Sequence, residues 1–393
     1  MPKLLSRISL VIFLVTINVY SVAENNMDKK HNSILNAIEP EKSTAVFYGT
    51  NLPSEILSQY SRIIVEPDNV KPEELKALSA KGGNVYAYVS IGEVSPTRKW
   101  FKNIKKEWIL GDNKVWDSKV MDLASPGWQN FVLDSVVTPL WEAGYRGLFL
   151  DTMDSFYLFA KDEKQRIKQA KALADLLKKI HKRHPEMRFI SNRGFEVVHS
   201  IGDQLEAVLA ESLFASWDNV KKVYKETSKN DQEWLINKLN GIKKDLSIDI
   251  IIIDYADPHD SKKLKELATR IAKEGFIPWI SIASLDIAGF GVLQLESNTN
   301  LLLVDGRTDA QSPIKTYTSF FGALKEKGEK IKVHDIQSGL PIGRIVRRYR
   351  SVITELSFDQ QSDAYKKWMR SQVNQSVKFI PLIPEAKVKA GVK

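Results

Sequence analysis

The stretch Glu142-Ala143-Gly144-Tyr145-Arg146-Gly147-Leu148-Phe149-Leu150-Asp151-Thr152-Met153-Asp154-Ser155 decides the fold. Gly144 stops a helical pattern over 126–143, as a glycine just past a helix end does. Gly147 to Leu150 is short and continuously apolar, the pattern of a parallel strand covered on both faces. Asp151 ends that run, and a second carboxylate follows at Asp154.

The same order of helix, glycine stop and buried strand recurs to either side. Ala80-Lys81-Gly82-Gly83 and Lys273-Glu274-Gly275 are further glycine stops. Strands are expected over 46–49, 62–66, 84–91, 147–151, 188–192, 205–210, 249–254 and 276–280. Helices are expected between them over 53–59, 72–81, 126–143, 162–184, 195–201, 231–246 and 260–274. Eight such units in about 245 residues fit a (β/α)8 TIM barrel. The alternative is an open doubly wound sheet, but no GxGxxG follows the first strand. One long insertion, 92–125, follows the third strand.

A second pattern starts near 300: strand 301–304, helix 313–328, strands 330–335 and 350–354, helix 359–373 and strand 377–383. That is a partial α/β (Rossmann/flavodoxin-like) domain, with fewer strands than such sheets usually carry. The expected division is signal peptide 1–23, linker 24–43, barrel 44–290 and partial, truncated α/β domain 291–393.

The formal net charge of +9 invites a nucleic-acid reading, so its location matters. Residues 1–23 contribute +2 and residues 291–393 contribute +7, which leaves 24–290 neutral. No nucleic-acid partner is expected of a neutral barrel. The N-terminus has Lys3 and Arg7, an apolar run over 8–19 and Ser21-Val22-Ala23. That is the order of an export signal cleaved after Ala23. The run is short for a membrane span of about 20 residues. A periplasmic or secreted protein without a stable membrane span after cleavage is expected; an uncleaved anchor is the alternative.

The absence of cysteine excludes a disulfide scaffold, a cysteine nucleophile, a zinc–thiolate site and an iron–sulfur cluster. Six histidines without an HxH or HExxH pair argue against a histidine-based metal hydrolase. No metal and no cofactor are expected. Carboxylates remain, and they collect where a barrel places its chemistry, at the C-terminal strand ends. These are Glu66 and Asp68, Glu93, Asp151 and Asp154, Glu211, and Asp254 and Asp257. No strand end offers a lysine for a Schiff base.

Paired carboxyls suit glycoside hydrolysis, in which one attacks or activates water and the other protonates the leaving oxygen. Loop aromatics for sugar stacking are supplied by Trp100, Trp108, Trp116, Phe156, Tyr157, Trp217 and Tyr255, and Trp279 lies near the end of the eighth strand. An aspartate at a strand end also serves as a helix cap or closes a turn. That reading is preferred for Asp68, Asp254 and Asp257, and for Glu93 the two weigh equally. Asp151 and Glu211 resist it, because each ends an apolar run and glutamate is a poor cap. Asn192-Arg193 either bind a sugar hydroxyl, hold a carboxylate in place or form rim ion pairs.

The runs Val85 to Glu93, Gly144 to Ser155 and Ala210-Glu211-Ser212 resemble the glycoside hydrolase family 114 type and the related PelA-like hydrolase domains of the Pel exopolysaccharide system. The likeness covers about 45–290, and Gly147 to Ser155 is its most specific part. Leu301 to Gly306, Gly339-Leu340-Pro341, Arg348-Tyr349 and Lys367-Trp368 are similar to the α/β segment that follows. The deacetylase domain that comes later in such proteins is expected to be lacking, and no deacetylase activity is carried over.

The resemblance implies cleavage of α-1,4-linked galactosamine or N-acetylgalactosamine polymers in exopolysaccharide processing. It assigns catalysis to Asp151, as nucleophile or base, and Glu211, as acid or acid/base. Glu93, Asp154, Asn192, Arg193, Tyr255, Trp217 and Trp279 are the expected substrate-binding residues. The implied partners are the polysaccharide and exopolysaccharide export proteins. A non-catalytic polysaccharide-binding subunit of an export complex is the alternative.

Overall fold

In the computed structural model, the described residues are 34–35, 38, 40–80, 82–292, 299–306, 312–341, 345, 349–356, 361–374 and 377–382. The expected signal segment 1–23, and Arg348, lie outside them. Eight parallel strands form one sheet: β1 (Thr44–Phe47), β2 (Arg62–Val65), β3 (Asn84–Ser90), β4 (Gly147–Asp151), β5 (Arg188–Asn192), β6 (Leu205–Glu211), β7 (Asp249–Tyr255) and β8 (Ile277–Ser281). Each pairs with the next in sequence, and Phe290–Gly291 adds antiparallel to β8. The sheet curls into a nearly closed barrel. The Tyr48 N–H, just after β1, donates to the Leu285 carbonyl beyond β8 at 2.7 Å.

Arg62 shows the curvature. It starts β2, yet its guanidinium donates to Glu206 on β6 (2.8 Å) and Asp249 on β7 (2.5 Å). Such contacts are made across a barrel, not along an open sheet. Glu206 reaches them through a bulge: the pairing steps from Phe189↔Leu205 to Ile190↔Ala207, so Glu206 is the extra residue. The Tyr86 hydroxyl also donates to Glu206. This network fills the N-terminal end of the barrel, the end where TIM barrels keep stability rather than chemistry.

The helices follow from caps and apolar stripes. Asp162 caps α3 (Glu163–Arg183), Ser228 caps α4 (Lys229–Leu246) and Asp260 caps α5 (Ser261–Lys273), each accepting a first-turn N–H. Before them come α1 (Ser54–Leu57) and α2 (Pro72–Ala80). Leu173, Leu176, Leu177 and Ile180 form the buried stripe of α3. The expected helix over 126–143 is present but widened by a π-turn, Val132–Val137. Pro139 has no N–H to give, and the Thr138 hydroxyl donates to the Leu133 carbonyl instead (2.8 Å).

Two expectations are corrected. The helix over 195–201 is replaced by 3-10 turns at Val198–Ser200 and Gly202–Gln204. The adjacent β-branched Val197 and Val198 lower the helix preference of this short segment. The single helix over 313–328 is broken into Ser312–Thr316 and α6 (Thr318–Glu326) at Tyr317. The insertion 92–125 folds as a three-stranded antiparallel sheet in which Glu93–Val94 and Ile109–Asn113 flank Ser118–Met121.

The C-terminal unit holds four parallel strands, β9 (Thr299–Val304), β10 (Lys330–Asp335), β11 (Val352–Thr354) and β12 (Phe379–Pro381), in the order β10-β9-β11-β12. Leu301 and Leu303 pack with Tyr365 of α7 (Asp363–Asn374), and Leu302 and Val304 pack with Phe321 of α6. The two-residue period therefore sends alternate side chains to opposite faces, each covered by a helix. This is an α/β sheet with a helix on each face, as the partial α/β reading expects.

Candidate active site

Four strands end on one layer of side chains. Asp151, Asn192, Glu211 and Tyr255 are the last residues of β4, β5, β6 and β7. The Asn192 side-chain amide nitrogen donates at 2.9 Å to Asp151 and at 2.9 Å to Glu211. The Tyr255 hydroxyl donates to the other oxygen of Glu211, and the Tyr88 hydroxyl donates to Asp151 at 2.7 Å. The bridging amide bounds the separation of the two carboxyls. Their nearest oxygens lie no farther apart than twice 2.9 Å, or 5.8 Å. Amide hydrogens diverging by about 120° bring that to roughly 5 Å.

The backbone is bent at the same layer. Thr152, Arg193 and Ser212, the residues after Asp151, Asn192 and Glu211, all adopt left-handed φ, at 59°, 53° and 63°. That conformation is costly for any residue but glycine, and most so for β-branched Thr152. Local bonds hold it: the Thr152 hydroxyl accepts the Gly92 N–H (3.0 Å) and meets the Ser90 hydroxyl (2.8 Å). A Cβ on Gly92 would stand 2.1 Å from the Thr152 carbonyl oxygen, so only glycine fits beside this bend.

Burial sets the electrostatics. It pushes the Asp151 carboxyl above the usual range, opposed by hydrogen bonds from Tyr88, the Thr152 N–H and Asn192. Glu211 is also pushed up by burial and then by the charge of Asp151, opposed by Tyr255 and Asn192. Asp151 has three donors favouring its ionised form against burial and the charge of Asp154; Glu211 has two donors and the Arg193 charge against burial and the charge of Asp151. Asp154 is pushed up by burial as well. Both carboxyls are therefore pushed toward keeping a proton, and the donors around each one oppose that push.

These groups open into a cleft of about 1000 Å³. Glu93, Asp154, Asn192 and Arg193 line it, and the Arg193 guanidinium donates to the Glu211 carbonyl at 3.1 Å. Glu93 is itself buried and ties three segments together. It accepts from Asn113 (3.0 Å) and from the hydroxyls of Ser118 and Ser155. Tyr255 meets the cleft chemistry through its hydroxyl on Glu211.

The expectation for Trp279 is corrected. Its side chain is fully buried, edge-on to Tyr60 at 5.3 Å, with Gly289 and Gly291 against the indole. In β8 it pairs with Ile253, two residues before the strand end, and that parity points it into the barrel interior. Trp217 is not among the cleft-lining residues. It packs on Tyr224 across the hairpin Ala215–Asp218/Val223–Glu226 at 4.8 Å. Trp100 and Trp108 belong to a ring cluster with Trp128 and Phe131. Asp254, Asp257 and Asp68 take the structural roles preferred for them. Asp254 is fully buried and accepts the N–H groups of Leu213, Phe214 and Ala215. Burial still pushes its carboxyl up to about 7. Asp257 closes a turn on the His259 N–H, and Asp68 pairs with Arg98 and Lys99.

Tyr88, Phe195, Glu196, Trp234 and Lys238 also line the cleft and were not picked out from the sequence. Trp234 carries a readable signal. It lies off the buried stripe Leu235, Leu239 and Ile242 of α4, where a tryptophan has no packing reason to be. Among the described residues, no group of three His, Asp or Glu side chains is arranged to hold a metal ion, and no helix is long and apolar enough to cross a membrane.

Comparison with known proteins places this site in context. The sequence profile described as glycoside-hydrolase family GH114 matches residues 42–297. The glycoside hydrolase domain of PelA from Pseudomonas aeruginosa is similar in structure, with a TM-score of 0.59 and 33% identity, over 63% of this chain and 98% of that domain. An uncharacterised protein of Methanocaldococcus jannaschii is 23% identical over 250 residues, 58% of this chain and 69% of that protein. An uncharacterised protein of Thermotoga maritima is 23% identical over 254 residues, 60% of this chain and 76% of that one.

Proposed function

The chain belongs to glycoside-hydrolase family GH114 and is a glycoside hydrolase, and from that premise we propose that it cleaves α-1,4-linked galactosamine or N-acetylgalactosamine polysaccharide with Asp151 as nucleophile and Glu211 as acid/base. The observation that carries this reading is the Asn192 amide held at 2.9 Å from both carboxyls. A separation of roughly 5–5.5 Å leaves no room for an intervening water and suits direct attack with retention of anomeric configuration.

In the first step an Asp151 oxygen attacks the anomeric carbon as Glu211 gives its proton to the leaving glycosidic oxygen. The product is a glycosyl–aspartyl ester and a shortened chain. In the second step Glu211, now ionised, takes a proton from water, which attacks the same carbon and frees Asp151. The three donors on Asp151 favour the ionised form that attack requires, and the adjacent Asp151 charge favours the proton that Glu211 must give up. Asn192 serves both forms by holding the pair in register.

The ionisable residues lining the cleft are Glu93, Asp151, Asp154, Glu196 and Glu211 against Arg98, Arg193 and Lys238. Arg98 is bound to Glu66 outside the cleft lining. This acidic excess favours a cationic amino-sugar chain, and its pull weakens as salt rises. The similarity to the PelA domain supports glycoside hydrolysis, and the export signal expected at the N-terminus fits a role in exopolysaccharide processing outside the cytoplasm.

The test uses the full chain on defined galactosamine and N-acetylgalactosamine oligomers, with products followed by proton NMR. The expected result is chain shortening with the α-anomer appearing first, and no turnover by Asp151→Asn or Glu211→Gln. Near-wild-type turnover by either variant overturns the assignment. Oligomer binding without cleavage turns the reading into that of a binding subunit.

A further inference from the structure

Two large apolar side chains stand in solvent on the walls of the cleft. Trp116 is 66% exposed and Trp234 is 55% exposed, and both line the same space as Asp151 and Glu211. Folding explains neither. Trp116 sits in the turn of the insertion hairpin between Ile109–Asn113 and Ser118–Met121, next to Val115, which is more exposed still. Among the described residues, no ring or cation lies against it. Trp234 lies off the buried stripe of α4 and is braced edge-on by Phe195, with ring centres 6.2 Å apart. Phe195 in turn carries the Lys238 ammonium 5.6 Å from its ring.

The topology sets where they stand. Trp116 comes from the loop after β3, and Trp234 from the helix after β6. Asp151, Asn192 and Glu211 end β4, β5 and β6, in the ring order β3-β4-β5-β6. One tryptophan therefore flanks the carboxyl pair on each side.

We propose that Trp116 and Trp234 are stacking platforms that hold amino-sugar units of one polymer chain on opposite sides of the bond being cleaved. This rests on the polysaccharide-hydrolase reading above. The face of a pyranose ring is a patch of C–H groups, and covering an exposed indole with it removes apolar surface from water. An amino sugar adds a second attraction, because its ammonium favours the electron-rich face of a tryptophan. Asp154 and Glu196 line the cleft between the platforms and complement the same ammonium groups. A chain long enough to lie on both platforms gains both contacts, so affinity depends on chain length.

The experiment measures Kd by calorimetry for galactosamine oligomers of increasing length, with the full chain carrying Glu211→Gln to prevent turnover. Trp116→Ala and Trp234→Ala are then added singly and together. Affinity is expected to rise with length and level off. Each alanine variant is expected to weaken the longest oligomer about tenfold, with a loss that shrinks as the oligomer shortens. Trp116→Phe and Trp234→Phe keep a ring and retain most of the affinity. Thermal melting checks each fold, and exposure this high predicts no change. A loss equal at all lengths, or no loss on long oligomers, overturns the platforms while leaving the hydrolase reading intact. An enzyme without the Glu211 change that cleaves no galactosamine oligomer of any length refutes the substrate reading, and the platforms for this polymer with it.

Discussion

Replacing Asn192 by Ala tests the hydrogen-bond bridge that organises the site. Its amide gives one bond to Asp151 and one to Glu211. A hydrogen bond to an ionised group contributes about 1.5–3 kcal/mol. Water filling the vacated space recovers part of that, so the lower end applies. At 1.36 kcal/mol per pKa unit, each carboxyl should rise by about one unit. The sign is fixed by what the amide does: it donates, and so favours the ionised form, and its loss raises both values. Asp151 must be ionised to attack, so the acidic limb of kcat/KM moves to higher pH. Glu211 must hold its proton, so the alkaline limb moves the same way. The bell is displaced upward as a whole, and its two apparent values belong to the coupled pair. Below the acidic limb the variant loses a further ~10-fold beyond any fall in the plateau, and above the alkaline limb its relative loss shrinks. The assay is kcat/KM against pH on one galactosamine oligomer, with thermal melting to confirm the fold. A bell that only drops in height, or that moves to lower pH, refutes the bridge.

Gly92→Ala sets a Cβ 2.1 Å from the Thr152 carbonyl, so the bend after Asp151 has to shift. The expected cost is about 3 kcal/mol of stability and most of the activity, read by urea unfolding and turnover. Arg62→Ala removes the guanidinium that joins Glu206 and Asp249 across the closed end of the barrel, leaving Glu206 with Tyr86 and Asp249 with Lys42 at 3.8 Å. The unfolding free energy should fall by about 3 kcal/mol, while kcat in the surviving folded protein stays near wild type. Asp254→Ala strips the acceptor from three buried N–H groups just after Glu211. It should cost about 3 kcal/mol and lower kcat by loosening the loop that carries Glu211, which separates it from Arg62→Ala.

Much of this was legible because a parallel barrel writes its strands as unbroken apolar runs. Val-Leu-Ala into Glu211 and Leu-Phe-Leu into Asp151 have no other economical reading. Side-chain direction was less legible, because period two makes it depend on a single residue of register. Asp151 and Asp254 look alike in the sequence, each closing a hydrophobic strand. Asp151 is the last residue of β4 and faces the cleft; Asp254 is one short of the end of β7, whose last residue is Tyr255. That offset turns Asp254 away to the backbone N–H groups of 213–215 and gives the inward place to Tyr255. Trp279 was misread for its depth rather than its direction. It is two residues short of the end of β8, facing the interior but below the mouth. The terminal layer of Asp151, Asn192, Glu211 and Tyr255 is thus a property of where four strands stop. The left-handed residues Thr152, Arg193 and Ser212 mark three of those stops. Nothing in their composition announces that conformation, since threonine, arginine and serine ordinarily avoid it. It follows that the strain was placed by the site rather than by local propensity, and a glycine at any of the three would relax the bend that aims the carboxyls at each other.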